Sequence, residues 1–285
     1  MFEFPEVLFI PMDKWVDSLM DWILVNTAGF FDSVGGILLK MLLTVERFLL
    51  WMPWPLVLIL VAVTAWRTMG KLWHALVMAG LIFIVGAFGY WDFSMMTLAI
   101  VIASVVVSLI VGFPTGILMA RSDRFRAVLR PILDGMQTMP SFVYLIPAMM
   151  LFGLGKVPAV FATVIYAVPP IIRLTDVGIR GVSETVVEAA RSFGASDRQL
   201  LLDVQLPLAF PSIMVGVNQT TMMALAMVVI ASMIGARGLG LEVLVAINRI
   251  EVGHGFTAGL SIVFLAIVID RISNAFALKQ QKHLS

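Results

Sequence analysis

The sequence predicts an all-α integral membrane protein of about seven transmembrane helices, and three observations carry that prediction. Of the 285 residues, 60% are hydrophobic and 13% charged, against about 45–50% and about 25% in soluble domains. The mean hydropathy is +1.01, so there is too little charge to cover a globule of this size. Seven segments also approach the roughly 20 apolar residues that a helix needs to cross a hydrocarbon core about 30 Å thick. They are 49–66, 72–91, 94–120, 139–155, 157–174, 208–234 and 256–276. A formal net charge of +1 argues against a nucleic-acid partner, which would call for a basic patch. The sequence has no cysteine, which excludes disulfides, thiolate metal sites and thiol nucleophiles.

The first 48 residues carry Glu3, Glu6, Asp13, Asp17, Asp21, Asp32 and Glu46 against three basic residues, and form an N-terminal extracytoplasmic segment. No basic n-region or small-residue cleavage site is visible there, so no signal peptide is expected. Within it, Phe30, Phe31, Val34, Ile37, Leu38, Met41, Leu42, Val45, Phe48 and Leu49 follow helical spacing. They predict an amphipathic helix, either lying in the membrane interface or packed on the bundle. Residues 49–276 form the transmembrane domain and 277–285 a cytoplasmic tail. The spans 139–155 and 157–174 are short, are separated by Lys156 and carry Pro147, Pro158, Pro169 and Pro170, which suits tilted, kinked or partly re-entrant helices. Gly112-x-x-x-Gly116 and Gly255-x-x-x-Gly259 permit close helix approach.

Orientation follows from the basic residues of the short connections. Thirteen of the 19 fall in 67–71, 121–138, 173–207 and the tail from 270, which makes that side cytoplasmic. The N-terminus then lies outside and the C-terminus inside.

One cytoplasmic connection, 175–207, is long and regular. Thr185 with Glu188 reads as a capping box opening a helix, VVEAARSF, and Gly194 stands where a left-handed residue would end it. Ser196 with Gln199 reads as a second capping box, opening SDRQLLLDVQ, which Pro207 should stop. Two short helices thus make an elbow, with Ala189 and Ala190 giving the first a smooth surface flanked by Arg191, Asp197 and Arg198.

Glu188-Ala189-Ala190, Gly194 four residues on, Val204 and the closing Leu206-Pro207 resemble the EAA signature of permease subunits in ATP-binding-cassette importers, with valine at the usual isoleucine position. The resemblance implies that Glu188, Ala189, Ala190, Gly194, Leu206 and Pro207 dock on a cytoplasmic ATPase subunit and pass its nucleotide-driven movement to the spans. The stretches 133–155, 166–179, 211–240 and 269–272 look like the glycine betaine/proline/choline branch of such permeases, covering roughly residues 90–275. This similarity implies a type I importer permease fold in the bacterial inner membrane. It also implies a second permease copy, most simply as a homodimer, and a substrate-binding protein that must be a separate chain.

Little else carries chemistry. The closest string to a phosphate loop, Gly153-Leu154-Gly155-Lys156-Val157, lacks the spacing and the hydroxyl, so ATP hydrolysis belongs to a partner and no cofactor is expected. His74, His254 and His283 sit at different predicted depths, against a metal site. Asn218, Gln219, Thr220 and Thr221, followed by Met222 and Met223, put polar and adaptable groups inside the sixth span. They are candidates for a translocation path, or for interhelical hydrogen bonding and packing. Gly235 to Gly240 suits a tight outer turn from which Arg237 or Glu242 would meet a docking protein. Asp134 and Gln137 either position the fourth span or sit in a solvated turn. Trp51, Trp54, Trp66, Trp73 and Trp91 read as interfacial anchors, not as a cation–π cage.

The reading is therefore the membrane-spanning subunit, itself not an enzyme, of an importer for glycine betaine or a related osmoprotectant. The alternatives are an importer for an amino acid or a sulfonate, and an ion-gradient-driven transporter. The last is disfavoured because acidic residues fall at span ends and in loops.

Overall fold

Prolines, glycines and short polar connections cut the apolar chain into helices. The computed structural model describes the backbone of residues 10–284 and the side chains of residues 10–276. Glu3 and Glu6 and the side chains of Lys279, Lys282 and His283 lie outside the described residues. The helices are α1 Met12–Trp51, α2 Trp54–Met69, α3 Leu72–Ala87, α4 Trp91–Arg121, α5 Asp123–Thr138, α6 Leu145–Phe152, α7 Lys156–Arg180, α8 Glu184–Ser192, α9 Asp197–Gln199, α10 Leu206–Ala231, α11 Leu239–Arg249 and α12 Val252–Leu284. No strand occurs among the described residues.

Five stretches are long and apolar enough to cross a membrane: Met12–Trp51, Trp91–Arg121, Lys156–Arg180, Asp197–Ile234 and Val252–Phe276. Three apolar helical segments are shorter: Trp54–Met69, Leu72–Ala87 and Ser141–Phe152. The all-helical class is as expected, but the boundaries shift. The segment 49–66 is divided, because Met52, ahead of Pro53, takes an extended backbone (φ −70°, ψ 123°) that a following proline favours over the helical one. The segment 139–155 becomes a 3₁₀ turn, Ser141–Tyr144, running into the eight residues of α6. At about 20 Å this piece is shorter than the hydrocarbon core.

The amphipathic stretch 30–49 lies inside α1, whose 40 residues make a rod about 60 Å long. Its buried seam is Gly35, Leu38, Leu42 and Glu46. That seam packs on the bundle: Phe31 and Phe152 rings meet edge-on at 5.8 Å, a Cβ on Gly35 would lie 3.2 Å from Phe152, and Glu46 receives Lys156 at 2.7 Å. Of the two readings open for this helix, packing applies along the seam, while Phe30, Ile37 and Phe48 stay exposed.

Helices α4, α7 and α10 form the centre. A Cβ on Gly112 would come within 2.4 Å of the Ile171 side chain, and one on Gly116 within 2.7 Å of the Ile172 carbonyl oxygen. The first small-residue pair therefore seats α4 directly on α7. Gly216 brings α10 against Ile171 and Leu174 in the same way. The second pair divides: Gly255 meets Ala246 of α11, but nothing lies within 4 Å of a Cβ on Gly259.

Candidate functional site

The elbow is built as follows. After α7, Ser183 and not Thr185 takes the N-cap position of α8, and its side chain makes no capping bond. The Ser183 and Thr185 hydroxyls bond each other at 2.7 Å instead, so the first expected capping box does not form. All nine residues of α8 escape burial; Glu188 and Ala189 are exposed and Ala190 is half-buried. The helix ends as expected at Gly194, with φ +86°. The Gly194 N–H donates to the Arg191 carbonyl at 2.9 Å and the Ala195 N–H to that of Ala190 at 3.1 Å. The second capping box is present: the Ser196 N–H donates to Gln199 Oε1 at 2.9 Å and the Gln199 N–H to Ser196 Oγ at 3.4 Å.

Pro207 does not stop the second elbow helix. The backbone runs from α9 through six π-helical residues, Leu200–Gln205, into α10. Pro207 falls at the second position of α10, and the wider π turn supplies the slack that a proline ring needs against the preceding carbonyls. The elbow and the sixth expected span are one helical rod, Asp197–Ile234. Leu200 and Leu201 are buried and pin it to the bundle, while Leu206 and Pro207 are half-buried. At the tip Phe193 is 94% exposed, and Arg191 faces Asp197 across the turn at 3.7 Å.

Beside the elbow, α5 is clamped to the end of α7. Asp176, 2% exposed, receives Arg126 at 3.1 Å and Arg180 at 2.9 Å. Arg180 also reaches Asp123 at 2.7 Å and the Met119 carbonyl at 3.1 Å, and Arg173 pairs with Asp134. Asp134 therefore lies on α5, not in a turn, and pairs with α7 while its side chain stays more than half exposed. A cavity of about 330 Å³, lined by Arg121, Arg180, Val187, Arg191 and Leu200 among others, separates the elbow from the ends of α4 and α7.

The six path candidates do not share one face. Asn218 Nδ2 donates to Asp270 Oδ1 on α12 at 3.0 Å. Thr220 is fully buried. The Thr221 hydroxyl bonds its own helix at the Val217 carbonyl and borders a cavity of about 440 Å³ among α2, α3, α4, α10 and α12. Gln219 and Met222 are exposed and Met223 is half-buried. With Val215 and Ala226, Gln219 and Met222 draw an exposed stripe along α10, which Met233 continues in the 3₁₀ turn that follows.

On the far side, Arg237 is exposed, and Glu242 is engaged by His254 Nε2 at 3.0 Å while Glu251 lies 3.4 Å from Nδ1. Opposite ring nitrogens cannot converge on one cation, and no metal-binding group of three occurs among the described residues. Trp54, Phe83 and Trp91 border one cavity of about 400 Å³, but Trp54 and Phe83 each remain more than half exposed.

Three polar contacts bring in residues that were not expected: Asp176 in its clamp, Glu46 with Lys156, and Asp270 on Asn218. The first had a local signal, since Asp176 has Arg173 three residues before it and Arg180 four after it on one helix. The other two join residues 110 and 52 positions apart, which no local pattern reveals.

The family model described as binding-protein-dependent transport system inner membrane component matches residues 112–282. The chain is 48% identical to the glycine betaine/proline betaine transport system permease protein ProW of Escherichia coli, over 93% of this chain and 75% of that protein. It is 44% identical to the glycine betaine/carnitine transport permease protein GbuB of Listeria monocytogenes, over 95% and 97% of the two chains. Among solved structures, inward-facing MetNI methionine ABC transporter shares the fold with a TM-score of 0.60 at 20% identity, over 65% of this chain and 93% of that one. A family model spanning more than half of the chain, and relatives of such identity across more than nine-tenths of it, establish that this chain belongs to the family of binding-protein-dependent transport system inner membrane components.

Proposed function

We propose that this chain is the membrane-spanning subunit of an ATP-driven importer for glycine betaine or a related quaternary-ammonium or proline-type osmoprotectant. The observation that carries the importer reading is an exposed helix bearing Glu188 and Ala189, closed by a left-handed Gly194 and joined across that turn to the apolar rod Asp197–Ile234. The substrates that ProW and GbuB are named for support the substrate class.

In this reading two ATPase subunits bind the elbows of two permease copies, most simply a homodimer. A separate binding protein delivers substrate to the outer face. Closure of the ATPase pair displaces α8, and the Asp197–Ile234 rod carries that displacement into the bundle. ATP drives the change only to the extent that it binds the closed arrangement more tightly. Gln219 and Met222 on the exposed stripe of α10 face the path, while Asn218 and Thr220 hold neighbouring helices. The excess of basic residues in 67–71, 121–138 and 173–207 supports a cytoplasmic elbow, with the N-terminus outside and the C-terminus inside.

The test is ATP-dependent uptake of radiolabelled glycine betaine into vesicles holding this chain, its co-purified ATPase and a candidate binding protein. Uptake that needs all three components is expected. Binding-protein-stimulated hydrolysis without betaine uptake would transfer the importer to another small solute, such as an amino acid or a sulfonate. Absence of any associated ATPase would overturn it in favour of a gradient-driven transporter.

A further inference from the structure

We infer that Asp270, held by Asn218 and Asn274, is a positioning residue that makes α12 follow the movement of α10. The inference rests on the reading above that elbow movement drives transport. Asp270 lies within the apolar stretch Val252–Phe276. Its Oδ1 accepts from Asn218 Nδ2 of α10 at 3.0 Å and from Asn274 Nδ2, one turn along α12, at 2.8 Å. Both donors are neutral amides.

Holding two helices together does not require a carboxylate. A polar contact between spans contributes modestly, whichever uncharged groups make it. Asp270 stands towards the end of that stretch, where an ionisable side chain is still expensive unless partnered, so its presence calls for a stronger return than glue. A charged acceptor supplies one, because hydrogen bonds to ionised groups are roughly twice as strong as those between neutral groups. The cluster is also incompletely satisfied. Asn218 Oδ1 is buried and finds no protein donor, so Asn218 is held to α12 through Nδ2 alone. That fits a contact whose partners change when the two helices move.

The placement shows what the tie would transmit. Asn218 stands on the rod that begins in the elbow at Asp197. Asp270 stands on α12, which packs on α10, α2, α3 and the outer helix α11. Without the tie, α10 would still follow the elbow, but α12 would be joined to that movement by non-directional apolar packing and by the chain that runs through α11.

The experiment compares the reconstituted complex of wild type, Asp270→Leu, Asp270→Asn and the exchange Asn218→Asp with Asp270→Asn. Uptake and binding-protein-stimulated ATP hydrolysis are measured on the same vesicles, with assembly checked by co-purification. In Asp270→Leu, uptake should fall about tenfold while hydrolysis stays within about twofold of wild type, as the loss of a charge-assisted bond implies. Asp270→Asn, which keeps an acceptor without the charge, should fall between. The exchange restores a carboxylate–amide pair with its ends reversed and should recover most of the ratio of substrate moved to ATP hydrolysed. An unchanged ratio in Asp270→Leu overturns the inference, as does an exchange variant no better coupled than Asp270→Asn alone. If Asp270→Leu fails to assemble, the comparison of Asp270→Asn with the exchange decides the matter by itself. A wild-type complex that shows no ATP-dependent uptake fails the functional reading instead, which keeps the two failures distinct.

Discussion

Gly194 shows how a single residue sets the shape of the elbow. No neighbouring atom lies within 4 Å of where its Cβ would stand, and φ is +86°, so a side chain there is opposed by its own backbone and not by crowding. A left-handed conformation costs an ordinary residue about 1–2 kcal/mol, and a β-branched one suffers most. Gly194→Val is therefore expected to reduce uptake severalfold with the spans still inserted, whereas Gly194→Asn, which tolerates this conformation, should stay close to wild type. Uptake per inserted permease checks both, and normal transport by Gly194→Val would remove the turn from the coupling path. Glu188 lies exposed on α8; Glu188→Lys should weaken ATPase co-purification, and unchanged recovery would show that Glu188 makes no contact there. These positions were legible because a motif, a helix end and a glycine coincide within a few residues. Thr185 was not: with Ser183 only two positions upstream, two hydroxyl residues competed for one N-cap.

At the scale of elements, close helix contact through missing side chains is the dominant theme. The Gly116 position faces the Ile172 carbonyl oxygen at 2.7 Å, and backbone cannot swing aside. Gly116→Ala should destabilise the bundle by about 1–3 kcal/mol, the ordinary penalty of overpacking. Gly259→Ala, with open space around it, should be neutral or slightly stabilising, because alanine favours the helix by about 1 kcal/mol. Thermal unfolding of the solubilised variants measures both, and equal shifts would contradict the packing described for α4 and α7. Apolar length identified α4, α7, α10 and α12, since each keeps charge out of a long window. It missed the full extent of α1, where Asp13, Asp17, Asp21 and Asp32 interrupt the apolar run without breaking the helix. It overran α3, which ends at Ala87 ahead of a left-handed Gly89. No window rule reveals that Glu46 becomes buried, because its partner Lys156 arrives from a different part of the chain.

For the whole molecule, the exposed stripe Val215, Gln219, Met222, Ala226 and Met233 is the surface that a second copy must meet if two copies enclose a path. The sequence has no cysteine, so single substitutions report without background. Met222→Cys is expected to give an intermolecular disulfide in vesicles under mild oxidation, read as a dimer band on a non-reducing gel. Ile59→Cys, on the exposed surface of α2, should give none. Cross-linking only at Ile59→Cys would place the partner on the opposite side. Assembly of this kind was the least legible level, since a stripe needed by a partner and a stripe wetted by lipid are equally apolar in sequence.

The π-helical join between elbow and span has a consequence for insertions and deletions. Each residue advances an α-helix by about 100°, so a rod without a flexible joint fixes the compass bearing of Gln219 and Met222 relative to the elbow. A turn closed between residues five apart holds one residue more than an α-helical turn, so Leu200–Gln205 stores one surplus residue. Deleting Leu202, which is exposed, should draw the stretch towards ordinary α-helix and leave the bearing nearly unchanged, so that uptake falls by no more than the strain of Pro207 against the tightened turn imposes. Inserting one alanine after Val215 should swing the elbow relative to everything beyond it by about 100° and abolish uptake. The π turn is thus the one place in the rod where chain length can vary while angular phase is kept.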